Sequence, residues 1–459
     1  MSPVMRVLSW ALLSTGVFAV SANASNPDEF VICTRPDAVV EDTLARHGLR
    51  MVRKGGDPAR PMFVVEKVTA LATADLQAEV AADDTVGVFE QLRDVNVPEA
   101  LDGAALNQST AALLDALAGK TFVSLFGDPV WNRYVNQPAA TIVGVPAARL
   151  LATGAGVVAI IDTGVDPNHP ALRRVLVPGF DFTRDVAGSA SEWADLDQST
   201  AALLDQSTAA LLDQSTAALL DQVVVANPST LITLNQSTAA LLDTAALPRA
   251  FGHGTMVAGI VHLVAPNAQI MPLKAFSADG SSNTFDIIRA IYYAVDHGAK
   301  VINMSFSFTE GSGELMKAIN YAAENRVICV SSVGNSGLQA PLVYPAAIRS
   351  VIAVASLASP SARSVFSNHG NALVHVAAPG EGVITSYPGG RYAAAWGTSF
   401  SAPFVAGAGA LLIQVNGSTT PLGASDDISD AVPLGPGLGH GRLDLVEAIR
   451  HGMPGSGKP

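Results

Sequence analysis

Residues 157–166 read Val157-Val158-Ala159-Ile160-Ile161-Asp162-Thr163-Gly164-Val165-Asp166. The first five form an unbroken, mostly β-branched apolar run, the pattern of a parallel strand buried on both faces rather than of a strand with one wet side. The run stops at a carboxylate followed by the turn-permissive pair Thr163-Gly164. Carboxyl ends of such strands are where α/β sheets place their chemistry. The stretch therefore predicts an α/β fold around a mostly parallel sheet, with Asp162 as a candidate functional residue.

Two later segments complete a pattern. In Phe251-Gly252-His253-Gly254-Thr255 the flanking glycines allow close backbone approach, and the apolar residues 256–264 that follow predict a buried helix with the imidazole at its start. In Gly397-Thr398-Ser399-Phe400-Ser401-Ala402-Pro403 a serine precedes a small-residue helix, with Pro403 near the first turn, where no intrahelical donor is needed. A serine hydroxyl attacks a carbonyl only if a neutral imidazole takes its proton, and a carboxylate must hold that imidazole in the right tautomer. Asp162, His253 and Ser399, in that chain order, supply those three groups. The other histidines, among them His169, His262, His297, His369, His375, His440 and His451, read as packing or surface residues.

These motifs and their order resemble the subtilisin-like serine proteases, the subtilases, over residues 128–449. The resemblance implies a three-layer α/β fold with a mostly parallel central sheet and a secreted serine endopeptidase acting through an acyl-enzyme. Ser399 would be nucleophile, His253 general base and then acid, and Asp162 the orienter. The oxyanion hole would consist of the Ser399 backbone N–H and the side chain of Asn335, which follows the strand-like residues 327–333. Substrate would bind as an added strand along Ser305-Phe306-Ser307, beside Gly334, and along Gly280-Ser281-Ser282. Glycine is commoner in the family at Ser307 and Ser282, and an added Cβ and hydroxyl are expected to narrow the cleft there. A large apolar residue at the cleavage position is the family default. No cofactor is required for the chemistry, and structural calcium is compatible with it.

Composition agrees with this class. The chain has 459 residues, 49% hydrophobic and only 15% charged, which suits tightly packed α/β layers with an ample core. A net charge of -13 argues against nucleic acid or an anionic membrane as partner. At the N-terminus, Arg6, an apolar run over residues 7–20 and Ala22-Asn23-Ala24 read as a cleavable signal, which predicts secretion to the medium or periplasm. The run is short for a membrane anchor. Cys33 and Cys329 fall in different regions and are expected to be unpaired.

From Phe30 to about Val97 the chain carries a strand, helix, strand, strand, helix, strand pattern. It predicts a small α+β, ferredoxin-like unit, similar to the inhibitor-like propeptide that precedes many subtilases. Such a unit would be a partner of the catalytic domain, templating its slow, non-local sheet and then blocking its cleft. The plainer alternative is an accessory domain. The octapeptide Asp-Gln-Ser-Thr-Ala-Ala-Leu-Leu runs three times in tandem over residues 197–220, with near copies at 107–114 and 235–242. It is foreign to the family pattern. Period eight suits no amphipathic helix, since each repeat rotates the Ala-Leu stripe by about 80°. A duplicated surface insertion is the simplest reading, with a lid or a docking surface as alternatives.

The expected organisation is a signal peptide over 1–24, a propeptide over 25–98, a linker with a processing site over 99–127, a catalytic domain over 128–451 with a repeat-bearing insertion at 186–249, and a tail over 452–459. Peptides or proteins are the expected substrates. Two other readings stay open: a maturation protease or transpeptidase for one particular peptide, and a catalytically idle protein whose repeats bind a partner.

Overall fold

The computed structural model describes residues 26–96 except Asp57, 121–196 except Ser189, the strands 224–227 and 230–233, Pro248, and 250–455 except Asp430. The signal sequence, most of the linker and all copies of the repeat lie outside the described residues.

Val157–Asp162 lies within a run of parallel strands, flanked by Gln269–Lys274 on one side and Ala299–Met304 on the other. Ile328–Ser332, Val351–Ser359 and Val376–Pro379 extend the parallel sheet. Antiparallel pairing is confined to Val186–Gly188 at one edge and Ala362–Arg363 near the other. The expected mostly parallel sheet is what is found. After Asp162 the chain builds the neighbour on one side and only later the neighbour on the other, so Asp162 ends its strand at a topological switch point.

The run at 157–162 is apolar throughout because it feeds two cores. Val158 and Ile160 join the layer formed by the helices His253–Val264 and Ala402–Val415. Ala159 and Ile161 join the opposite layer, with the helices Thr284–Asp296 and Gly313–Glu324. Helices on both faces of one sheet make the three layers. The run Thr398–Val415 is long and apolar enough to cross a membrane, yet 83% of it is buried inside the protein, and its place between helix and sheet explains its composition.

The N-terminal unit also forms as its pattern predicts. Strands Glu29–Thr34, Leu49–Gly55, Met62–Lys67 and Val86–Gln91 and helices Val40–Arg46 and Thr73–Ala81 alternate in the expected order. The second, third, first and fourth strands lie side by side, the ferredoxin-like arrangement, and every pairing in the sheet is antiparallel. Alternation sorts its side chains: Phe30, Ile32, Phe63 and Val65 face its own helices, while Val31, Met62 and Val64 join the core of the large domain. Both cysteines are free, as expected.

The described parts of the segment at 186–249 join the large domain, while the repeats, read as a surface insertion, lie outside the described residues. Ala190 and Glu192 are buried. Strands Val224–Asn227 and Thr230–Thr233 extend the small sheet of Val383–Tyr387 and Arg391–Ala395, which leads to Ser399.

Candidate active site

Asp162 and His253 are 91 residues apart in sequence and meet in the structure. The imidazole Nδ1 lies 2.7 Å from Asp162 Oδ1. The same oxygen accepts the backbone N–H of Thr163 at 2.7 Å, which fixes the carboxylate plane. An Nδ1–H donated to Asp162 leaves Nε2 as the acceptor, the tautomer that proton abstraction requires. Both residues are about 1% exposed, so their attraction is little screened by water.

The glycines around His253 have separate reasons. Gly252 precedes the helix at φ +93°, a conformation that disfavours a side chain. Gly254 lies so close to the Asp162 strand that a Cβ would stand 2.0 Å from the Gly164 carbonyl oxygen and 3.2 Å from Asp162 Cβ. The helix is further tied down by Thr385 and Ser386, whose hydroxyls donate to the carbonyls of Met256 (2.6 Å) and Thr255 (2.7 Å).

Ser399 sits in a 3-10 turn, Thr398–Phe400, ahead of the helix Ala402–Val415, and the ring of Phe400 lies 5.3 Å from the His253 ring. Its hydroxyl donates to the Ser305 carbonyl at 2.9 Å, and the Ser305 hydroxyl donates back to the Ser399 carbonyl at 2.8 Å. Asn303 donates to that Ser305 hydroxyl at 2.9 Å. Ser305, expected only as part of a substrate edge, thus also holds the serine turn.

Asn335 follows the strand Ile328–Ser332 and reaches the same turn. Its Oδ1 accepts both the N–H (2.9 Å) and the hydroxyl (2.8 Å) of Thr398, the residue before Ser399. With the oxygen committed to Thr398, the amide nitrogen is the end that can donate elsewhere. Gly334 lies beside Ser307: a Cβ there would stand 3.0 Å from Ser307 Oγ and 2.9 Å from Asn368 Nδ2.

The other expected edge is present as the strand Ser281–Asn283, and its pairing partner is the chain's own segment Asp94–Asn96, antiparallel, with Ser281 opposite Asn96 and Ser282 opposite Val95. The Ser282 hydroxyl donates to the Ala275 carbonyl at 2.6 Å. Phe306 is buried in the large-domain core against Phe276 at 5.0 Å between ring centres, so of the Ser305-Phe306-Ser307 stretch it offers backbone only.

Residues that the sequence did not single out surround the pair. Glu192 is fully buried beside Thr163, Gly254 and Thr255, and burial raises its carboxyl to about 7, with the neighbouring Asp162 charge adding to the rise and the Thr163 and Thr255 hydroxyls opposing it. Lys274, at the end of the next strand, is buried with its ammonium on the Thr163 carbonyl (2.7 Å), the Phe276 carbonyl (2.7 Å) and Asp195 (2.6 Å). Among the described residues no group of three or more His, Cys, Asp or Glu side chains is placed to hold a metal ion.

Comparison with known proteins follows the same lines. Thermitase of Thermoactinomyces vulgaris is 31% identical over 319 residues, spanning 67% of this chain and 93% of thermitase. An intracellular serine protease of Paenibacillus polymyxa is 29% identical over 310 residues, 63% of this chain and 78% of that protein. Fervidolysin of Fervidobacterium pennivorans, a keratinolytic enzyme related to subtilisin, superposes on 94% of this chain and 62% of its own with a TM-score of 0.65; at 19% identity it speaks for the fold alone. A protease of Pseudoalteromonas arctica superposes on 68% of this chain and 94% of its own with a TM-score of 0.51 and 26% identity. The profile of the Subtilase family, Peptidase S8, matches residues 154–431, a span that contains Asp162, His253, Asn335 and Ser399. The chain therefore belongs to the subtilase family and is a serine-type endopeptidase of the subtilisin-like kind.

Proposed function

We propose that the chain is made as a secreted proenzyme that hydrolyses peptide bonds through Ser399, His253 and Asp162, and that it removes its own N-terminal domain. The observation that carries the catalytic part is the 2.7 Å contact between buried His253 Nδ1 and Asp162 Oδ1, formed at a sheet switch point beside the Ser399 turn. In the reaction the Ser399 hydroxyl leaves the Ser305 carbonyl and gives its proton to His253 Nε2 as Oγ bonds the scissile carbon. The carbonyl oxygen gains the negative charge and meets the Ser399 N–H and the Asn335 amide. His253 then hands the proton to the departing amine as the C–N bond breaks. Water, deprotonated by the same imidazole, releases the acyl group and restores the serine. Preorganised donors cost nothing to align at the moment of reaction, and losing the Asn335 amide is expected to lower kcat about 10²- to 10³-fold, the magnitude known for the equivalent change in subtilisin itself.

Self-processing draws support from the pairing of Asp94–Asn96 with Ser281–Asn283, since the segment leaving the N-terminal domain already lies along the expected substrate edge. Secretion rests on the sequence of residues 1–24.

The test is the intact mass and N-terminal sequence of the purified wild type beside Ser399→Ala. A new N-terminus between residues 98 and 128 in the wild type alone is expected. Identical processing of both proteins excludes self-cleavage, and absence of fluorophosphonate labelling at Ser399 in the wild type excludes the nucleophile.

A further inference from the structure

Glu192 belongs to a four-residue 3-10 turn, Glu192–Asp195, at the head of the inserted segment. Its carboxylate takes donors from two parts of the site. Oε1 accepts the Thr163 hydroxyl at 2.6 Å and the Gly254 N–H at 3.0 Å. Oε2 accepts the Thr255 hydroxyl at 2.6 Å. Thr163 directly follows Asp162, and Gly254 and Thr255 directly follow His253. One side chain therefore spans the strand end that carries the carboxylate and the helix start that carries the imidazole.

The bridge is reinforced on both sides. The Gly254 N–H also donates to the Thr163 hydroxyl (3.0 Å), and the Asp166 N–H donates to the Thr255 hydroxyl (2.8 Å). A carboxylate at the first turn of the His253–Val264 helix satisfies an N–H with no partner inside the helix and suits the helix dipole. The turn itself is pinned by Asp195, which accepts from Lys274 Nζ and from the Ala278 N–H, both at 2.6 Å.

We propose that Glu192 is a positioning residue for catalysis: it clamps the two backbone segments bearing Asp162 and His253 and so sets the geometry of their contact. This rests on the catalytic reading above. Glu192 does not touch the reacting atoms. A misplacement of an ångström in such a pair costs orders of magnitude in rate while leaving the substrate edges in place. The charged and titratable groups around it are Asp162 on its strand, His253 on its helix, Lys274 on the neighbouring strand and Tyr387 on the strand behind.

The test uses the full chain, allowed to mature, as wild type, Glu192→Ala and Glu192→Gln. The readouts are kcat, KM and the rate of inactivation by a small sulfonyl fluoride, across about pH 5 to 10 and well below each variant's Tm. In Glu192→Ala, kcat and the sulfonylation rate are expected to fall together by about 10- to 100-fold with KM within about twofold. Glu192→Gln, which keeps an acceptor but not the charge, should recover most of the loss. Should Glu192→Ala fail to fold, Thr255→Val removes one arm of the clamp at nearly constant volume, and a parallel loss of about 3- to 10-fold in both rates is expected. Unchanged kcat and sulfonylation in whichever variant folds overturns the clamp. A wild type that is not sulfonylated at Ser399 overturns the catalytic reading instead, so the two failures are distinct.

Discussion

The sheet face that carries His253 and the opposite face, on which the N-terminal domain sits, are joined to their neighbours by different physics. The helix His253–Val264 is buried along its whole length, packed against the sheet, the helix Ala402–Val415 and the small sheet behind. On the other face the N-terminal domain meets the helices Thr284–Asp296 and Gly313–Glu324 through a few apolar side chains ringed by charges. Arg53 grips Asp286 at 2.9 Å and 2.8 Å through two guanidinium nitrogens. Arg60 pairs with Asp296 and lies over the rings of Tyr292 and Tyr321 at 4.8 Å and 4.5 Å. Glu90 accepts the Gly313 N–H at 2.9 Å and the Ser312 hydroxyl, capping a helix of the other domain. An apolar, close-packed joint has no partly assembled form, whereas a joint of arginines and helix caps can be re-solvated on parting. The first suits a permanent core and the second a contact that is made and later given up.

The sharpest way to break that contrast is Gly254→Ala. A methyl placed 2.0 Å from the Gly164 carbonyl forces the His253 helix off the Asp162 strand, and kcat/KM is expected to fall at least about 100-fold with KM little changed. Next is Arg53→Ala combined with Arg60→Ala. It removes the paired guanidiniums from the separable face and should raise the rate at which the cleaved N-terminal domain leaves by about 10- to 100-fold, most strongly at low salt, as followed by inhibition of peptide hydrolysis. Activity of the enzyme freed of that domain should not change. The third concerns His262, buried in the permanent core, whose ring nitrogens have no hydrogen-bond partner among the described residues. Burial, aided by Arg149 and His169, pushes its imidazole down to about 3. The unfolded chain binds a proton there below about 6.5 and the folded one does not, so this stability is present above about 6.5 and is lost as pH falls towards about 3. His262→Leu should flatten that acid arm and recover about 2 kcal/mol at about pH 5, read from denaturant midpoints at about pH 5 and pH 8. The smallest effect belongs to Ser282→Gly. With its hydroxyl already bonded to Ala275, its loss should change KM for a panel of peptides by less than about twofold.

What the sequence disclosed follows the range over which its signals act. The run at 157–161 announced a strand covered on both sides because alternation is missing there. The glycines round His253 announced a close approach because no larger residue fits. The apolar runs at 30–33 and 62–65 also disclosed strands of the small domain, but not that the large domain covers their second face, since Val31, Met62 and Val64 look the same whichever apolar surface receives them. Glu192 was illegible for a different reason. Its partners Thr163, Gly254 and Thr255 lie 29, 62 and 63 residues away, and it stands at the brink of a repeat whose composition suggests a dispensable surface segment. Likewise nothing local in Ser282 tells which way its hydroxyl turns.

Cys33 gives the charged joint one more consequence. Its thiol lies at the boundary between the two domains, where burial and the neighbouring Glu314 push it far above its ordinary value. The other thiol, Cys329, is sealed in the central sheet and pushed up to about 12. Alkylation proceeds through the thiolate, so both are slow while the domains are together. In the proposed release, Cys33 alone would return to water and to ordinary acidity. Its carboxymethylation then acts as a chemical clock for the parting, readable by mass on the unaltered protein, with Cys329 as the internal zero.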